Sequence, residues 1–196
     1  MPAKNLLNIR IILAFVLIVC VGTVIHELGH FIVAWVLDLN PELHYAQCDW
    51  SEERMTNEAR KLSLLGGILL PTIIGFGSLL RLSLGKWNDS SSWFYAVLST
   101  LPFRAFLIFS FFLLHTLRIM KTYHRSDEVK LNVLFKLPNG SFETMFLLLG
   151  LLSVFVIWRK LQKNNKRPLV FFINMAIGVA IGYPLWFLVL GPWLLP

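Results

Sequence analysis

The stretch IRIILAFVLIVCVGTVIHELGHFIVAWVL, residues 9–37, decides the fold class. It exceeds the roughly 20 apolar residues that a helix needs to cross the hydrocarbon region of a bilayer. Beyond Arg10 its only acidic or basic side chains are His26, Glu27 and His30, which spell H-E-x-x-H. Ionisable groups are costly inside a membrane and are held there for a purpose. On a helix, positions i and i+4 share one face, so His26 and His30 can grip one metal ion. Glu27, beside them, can reach a water on that ion and act as general base. The basic start MPAKNLLNIR resembles a signal peptide, but no small-x-small cleavage site precedes Thr23 and the apolar run continues to Leu37. It is read as an uncleaved span.

Working outward, four further apolar segments follow, at 62–80, 93–120, 142–158 and 168–190. The 196 residues are 56% hydrophobic and 15% charged, with a mean hydropathy of +0.66. That is too apolar for a soluble domain of this size. The expectation is an all-α, polytopic transmembrane bundle of about five helices, forming a single domain over 1–196. Such a chain is a multi-pass integral protein whose first partner is the lipid bilayer, with the cell membrane as its expected location. Pro184 should kink or break the fifth helix. Trp35, Trp87, Trp93, Trp158 and Trp193 lie near segment ends, where an aromatic belt would sit. Between the first two spans, the alternating ELHYAQC (42–48) reads as a short strand at the membrane surface, followed by an acidic helix from Ser51.

Net charge is +7, yet Lys and Arg fall in short segments between apolar runs, most densely in RKLQKNNKR (159–167). They suit anionic headgroups, and nucleic acid is excluded as a partner. Nine Lys and Arg fall on the side of the N-terminus and eight on the other, with Arg104 on neither, so the positive-inside bias gives no orientation. Cys20 and Cys48 suggest no disulfide framework.

Other polar or small residues in the spans have structural readings. In LLGGILLPTIIGFG (64–77), Gly66, Gly67, Gly75 and Gly77 permit close helix packing. Arg104 and His115 share a face of the third helix, which should look into the bundle; Arg104 reads as a structural pairing partner and His115 as a packing histidine. Asn174 reads equally as an interhelical hydrogen-bonding group or a binder of substrate backbone.

A catalytic zinc needs a third protein ligand and one open position. His44, Asp49, His115, His124 and Asp127 are candidates, with Cys48 weaker. In an up-down bundle, the half of the first helix that carries the histidines lies beside the loop after the third helix, TYHRSDEVKLNVLFKLPNG (122–140). Ser126 there can cap a helix beginning with Asp127 and Glu128.

HELGH in an apolar helix, the Gly-rich LLGGILLP and the later SDEVKLNVLFKLPNG together resemble the site-2 protease family of intramembrane zinc metallopeptidases, in its small subgroup without appended domains. The resemblance covers about the first 140 residues. It implies a zinc-dependent endopeptidase that hydrolyses a peptide bond in or near a substrate's transmembrane segment, the substrate being a membrane protein or membrane-bound peptide. In that family an Asp on a later segment completes the zinc sphere, and Asp127 is the matching position, with His124 the alternative. The chain lacks the N-x-x-P and L-D-G motif of the better-known members. The contrasting class is a non-enzymatic membrane protein, a transporter or binding partner, whose histidines relay protons or bind a ligand. A transporter should show internal symmetry or paired discontinuous helices, and the sequence signals neither.

Overall fold

The computed structural model describes residues 6–120 and 126–195. The first span is a single helix, α1 (Ile9–Val36), opened by Asn8, whose side chain accepts from the amides of Arg10 and Ile11. A loop follows, with a minimal antiparallel hairpin of β1 (Glu42–Leu43) and β2 (Cys48–Asp49). The single strand expected over ELHYAQC is instead this hairpin, because the chain turns at 44–47, where the His44 amide donates to the Gln47 carbonyl. The acidic helix expected from Ser51 is instead a single 3-10 turn, Glu52–Arg54, after which Thr56 caps α2 (Asn57–Leu84) through the amide of Ala59.

The third apolar segment is interrupted where a single helix was expected. It consists of α3 (Asp89–Leu98), a 3-10 turn at Leu101–Phe103, and α4 (Arg104–Thr116). The hydroxyls of Ser99 and Thr100 fold back onto the carbonyls of Tyr95 and Val97, and Pro102 follows without an amide proton to continue the ladder. A short helix, α5 (Asp127–Leu134), precedes α6 (Ser141–Lys163) and α7 (Pro168–Leu185). Just after Pro184, α7 widens into a π-helical segment, Trp186–Leu190, then closes with α8 (Gly191–Leu194). The break predicted at Pro184 thus takes the form of a wide turn.

Five of these stretches are long and apolar enough to cross a membrane: Ile9–Val36, Asn57–Leu84, Ser90–Thr116, Ser141–Lys163 and Pro168–Leu194. Leu17, Ile73, Leu80, Leu148 and Phe155 remain exposed on them, the surface a lipid-facing bundle presents. The all-α bundle read from the sequence is therefore the observed architecture. Of the expected aromatic belt, Trp35 and Trp193 are exposed at one end. At the other, Trp87 packs on Trp93, Trp93 on Phe171 and Trp158 on Phe172.

Close approach of α1 and α2 organises the bundle. Gly29 faces Gly66 so tightly that a Cβ on either would overlap the other's carbonyl group. Without a hydrophobic driving force between helices in lipid, such contacts and interhelical hydrogen bonds hold the spans together. Asn174 on α7 supplies two bonds to the start of the first span, accepting from the Asn8 amide at 2.7 Å and donating to the Leu6 carbonyl, and it also donates within its own helix to the Val170 carbonyl. Its side chain is thereby committed to packing, and the alternative of binding substrate backbone is set aside. At the opposite end, the Tyr45 amide donates to the Leu195 carbonyl at 3.0 Å, and Trp186 Nε1–H donates to the Tyr45 carbonyl at 3.0 Å.

Candidate metal site

His26 and His30 stand one turn apart on α1 and are both buried. His30 is fixed from two sides. Its Nδ1–H donates to the Ser63 carbonyl of α2 at 2.7 Å, and Gly67 lies so close that a Cβ there would overlap the imidazole. With Nδ1 committed as a donor, the Nε2 lone pair is the one directed into the site. Trp50, just past β2, packs beside the same ring, with centroids 6.1 Å apart.

The third group arrives on α5. Asp127 Oδ2 lies 2.9 Å from His26 Nε2 and 3.1 Å from His30 Nε2, and the two Nε2 atoms are 3.2 Å apart. Two imidazole lone pairs resist such an approach unless a proton or cation sits between them. Ligand atoms about 2.0–2.1 Å from a tetrahedral centre stand about 3.3 Å from one another, close to the observed triangle.

α5 is held at this depth by both of its ends. Leu131 is fully buried against Leu64, Ile68 and Phe146. Asn132 Nδ2–H donates to Glu143 Oε2 at 2.6 Å, and its Oδ1 accepts from the Phe142 amide at 3.0 Å. This explains why α6 opens with an acid at the head of an apolar run. At the other end, Arg104 Nη1 reaches Glu128 Oε1 at 3.2 Å, and Nη2 lies 4.0 Å from Asp127 Oδ2. Ser126 precedes α5 as expected, but its hydroxyl makes no capping bond.

Burial raises the Asp127 carboxyl, but the hydrogen bonds to His26 and His30 outweigh it and hold the group well below the usual carboxylate range. Glu27 is buried, and among the described residues no hydrogen bond or ion pair ties down its carboxylate. Asp127 and the buried Glu128 flank the Arg104 guanidinium, the buried Glu27 lies within its electrostatic reach, and the more exposed Lys130 reaches Asp127 Oδ1 at 3.6 Å. The excess of negative charge suits a cation.

The other candidate ligands lie elsewhere. His44 sits 3.6 Å from Asp49 on the hairpin. Burial, with Glu27 and Asp49 nearby, pushes the Cys48 thiol up to about 12, so it stays protonated. His115 turns to the Met120 carbonyl at 3.3 Å. His124 falls outside the described residues.

His26, His30 and Asp127 form a buried group that could hold a metal ion. Among the described residues, four buried side-chain atoms lack a hydrogen-bond partner: His26 Nδ1, Ser63 Oγ, Ser126 Oγ and Glu128 Oε2. All four belong to residues that build or flank this group. Sequence reasoning did not anticipate the parts played by Ser63, Glu128 and Trp50, and it gave Arg104 no partner. No family model, curated protein or solved structure matches the chain.

Proposed function

We propose that this protein is a zinc-dependent intramembrane endopeptidase of the site-2 protease type, acting on a peptide bond in or near the transmembrane segment of a membrane protein or membrane-bound peptide. The observation that carries the reading is the convergence of His26 Nε2, His30 Nε2 and Asp127 Oδ2 within 3.2 Å of one another. Two imidazoles and a carboxylate are the donor set of catalytic zinc, which keeps its fourth position open. The depth of the site supports an intramembrane substrate: at 1.5 Å per residue, His30 and His26 stand about 9 and 15 Å of helix rise before Val36.

Zinc held there would polarise the scissile carbonyl and bring the pKa of the attacking water toward about 7. His26, His30 and Asp127 would be its ligands, and the Ser63 carbonyl fixes the tautomer of His30. Glu27, buried and without a hydrogen-bonding partner among the described residues, is the general base: its carboxylate takes the proton of the water and returns it to the leaving amine. Arg104 is a positioning residue, holding Glu128 and, beside it, Asp127.

A transporter reading gains little from the two interrupted spans. Each break has a packing partner of its own: Pro102 sits against Gly75, and Trp186 Nε1–H donates to the Tyr45 carbonyl.

The deciding experiment compares purified wild type, Glu27→Gln and His26→Ala for bound zinc and for cleavage of a membrane-helix substrate. Glu27→Gln should keep the metal and lose at least about 100-fold in turnover, the range for removing a general base. His26→Ala should lose the metal as well. Unimpaired cleavage by Glu27→Gln eliminates the proposed chemistry, and zinc-free wild type eliminates the proposed cofactor.

A further inference from the structure

The end of the bundle away from the metal site gathers positive charge. Arg159, Lys160, Lys163, Lys166 and Arg167 fall within nine residues where α6 closes and α7 opens. Arg10, Arg81 and Lys86 join them from the ends of α1 and α2, and Asp89 is the one acid at this end among the described residues. One acid against eight basic residues leaves this end with a net positive charge. The opposite end has six acids between Asp38 and Glu58 alone. Three cations there are paired with them: Arg54 with Asp38, Arg60 with Glu52 and Lys61 with Glu58.

Within the basic end lies a groove of about 690 Å³. Leu6, Trp158 and Leu169 line it together with Gln162, Lys166 and Arg167. Leu6 and Leu169 are among the exposed large apolar side chains, so the greasy part of the groove is continuous with the lipid-facing surface. α7 opens beside it at Pro168, and Arg167 supplies no side-chain cap. The amides of the following turn have no intrahelical acceptor. The chemistry is that of an amphiphile's seat: cationic donors for a phosphate next to a wall for an acyl chain.

We infer that this groove binds an anionic phospholipid of the surrounding bilayer, its headgroup phosphate on Lys166 and Arg167 and its acyl chain along Leu6, Trp158 and Leu169. Charge selects the class: a zwitterionic lipid brings no net charge to a surface with eight cations against one acid, whereas each basic residue near a headgroup strengthens an anionic lipid's hold about fivefold. Basic pockets between transmembrane helices are suited to such headgroups.

The test titrates the detergent-solubilised full chain with short-chain phosphatidylglycerol, short-chain phosphatidylcholine and inorganic phosphate, with bound lipid counted by native mass spectrometry. Wild type should retain phosphatidylglycerol in preference to the other two. Lys166→Ala with Arg167→Ala should weaken it about 25-fold, Lys166→Arg with Arg167→Lys should retain it, and Lys136→Ala at the far end should leave it unchanged. If the alanine pair fails to fold, Arg167→Gln alone decides, with about a fivefold loss expected. Equal retention of the two lipids, binding of free phosphate as tight as that of phosphatidylglycerol, or undiminished binding by the folded alanine pair or by Arg167→Gln overturns the inference.

Discussion

Asp127 joins two elements separated by 101 positions in sequence, and its loss should be felt at the metal before anywhere else. Asp127→Ala is expected to weaken zinc by at least about 100-fold, measured by competition with a chelator of known affinity. Arg104→Ala should weaken it about 10- to 100-fold, as for a group that orients a ligand. Arg104→Lys should recover part of this, because a point charge keeps the attraction to Glu128 but cannot bridge two carboxylates. Zinc affinity unchanged in Arg104→Ala would remove its positioning role. The local part of this site was legible in the sequence, since helical spacing alone sets His26 beside His30. The remote part was not. Asp127 was one of five candidate ligands, brought near by up-down topology and singled out by the family pattern, with His124 open beside it. Arg104 was placed on an inward face, but nothing in its neighbourhood pointed to Glu128, 24 residues later.

Among the elements, α2 shows how one motif can contain several different reasons for glycine. Gly66 meets Gly29 backbone to backbone, Gly67 makes room for the His30 ring, Gly75 receives Pro102, and Gly77 has nothing near its absent Cβ. Read from sequence alone, all four share one explanation, tight packing, because composition carries no information about which neighbour stands opposite. The structure separates them in a testable way. Gly67→Ala should lower the zinc content of purified protein, since the methyl displaces a ligand ring. Gly77→Ala, one helix face away from any partner, should be neutral in the same assay. Equal zinc content in the two variants would show that His30 tolerates the shift. The third span teaches a related lesson: hydropathy registers length, so residues 93–120 read as one helix. The break at Pro102 depends on hydroxyls turning back onto the preceding carbonyls, a choice that apolar content does not reveal.

At the scale of the whole molecule, five spans were visible as apolar runs because a bilayer leaves few alternatives for the backbone. Their mutual arrangement was not, since it rests on contacts such as Asn174 with Asn8 that join residues 166 positions apart. A metal between α1 and α5 would add a further long-range tie. Its removal should therefore lower the melting temperature: free zinc at about 100 times its dissociation constant contributes about 2.7 kcal/mol, or about 5–10 °C for a chain of this size. Differential scanning of wild type with zinc and with chelator checks this, and Asp127→Ala should show no such difference. A last consequence comes from the paired bonds of Tyr45 with Leu195 and Trp186. They couple the chain's final turn to the hairpin, and Trp50 extends that coupling to the His30 ring. A fluorescent or affinity fusion joined after Pro196 would thus load a chain of contacts that reaches the candidate metal site through the hairpin.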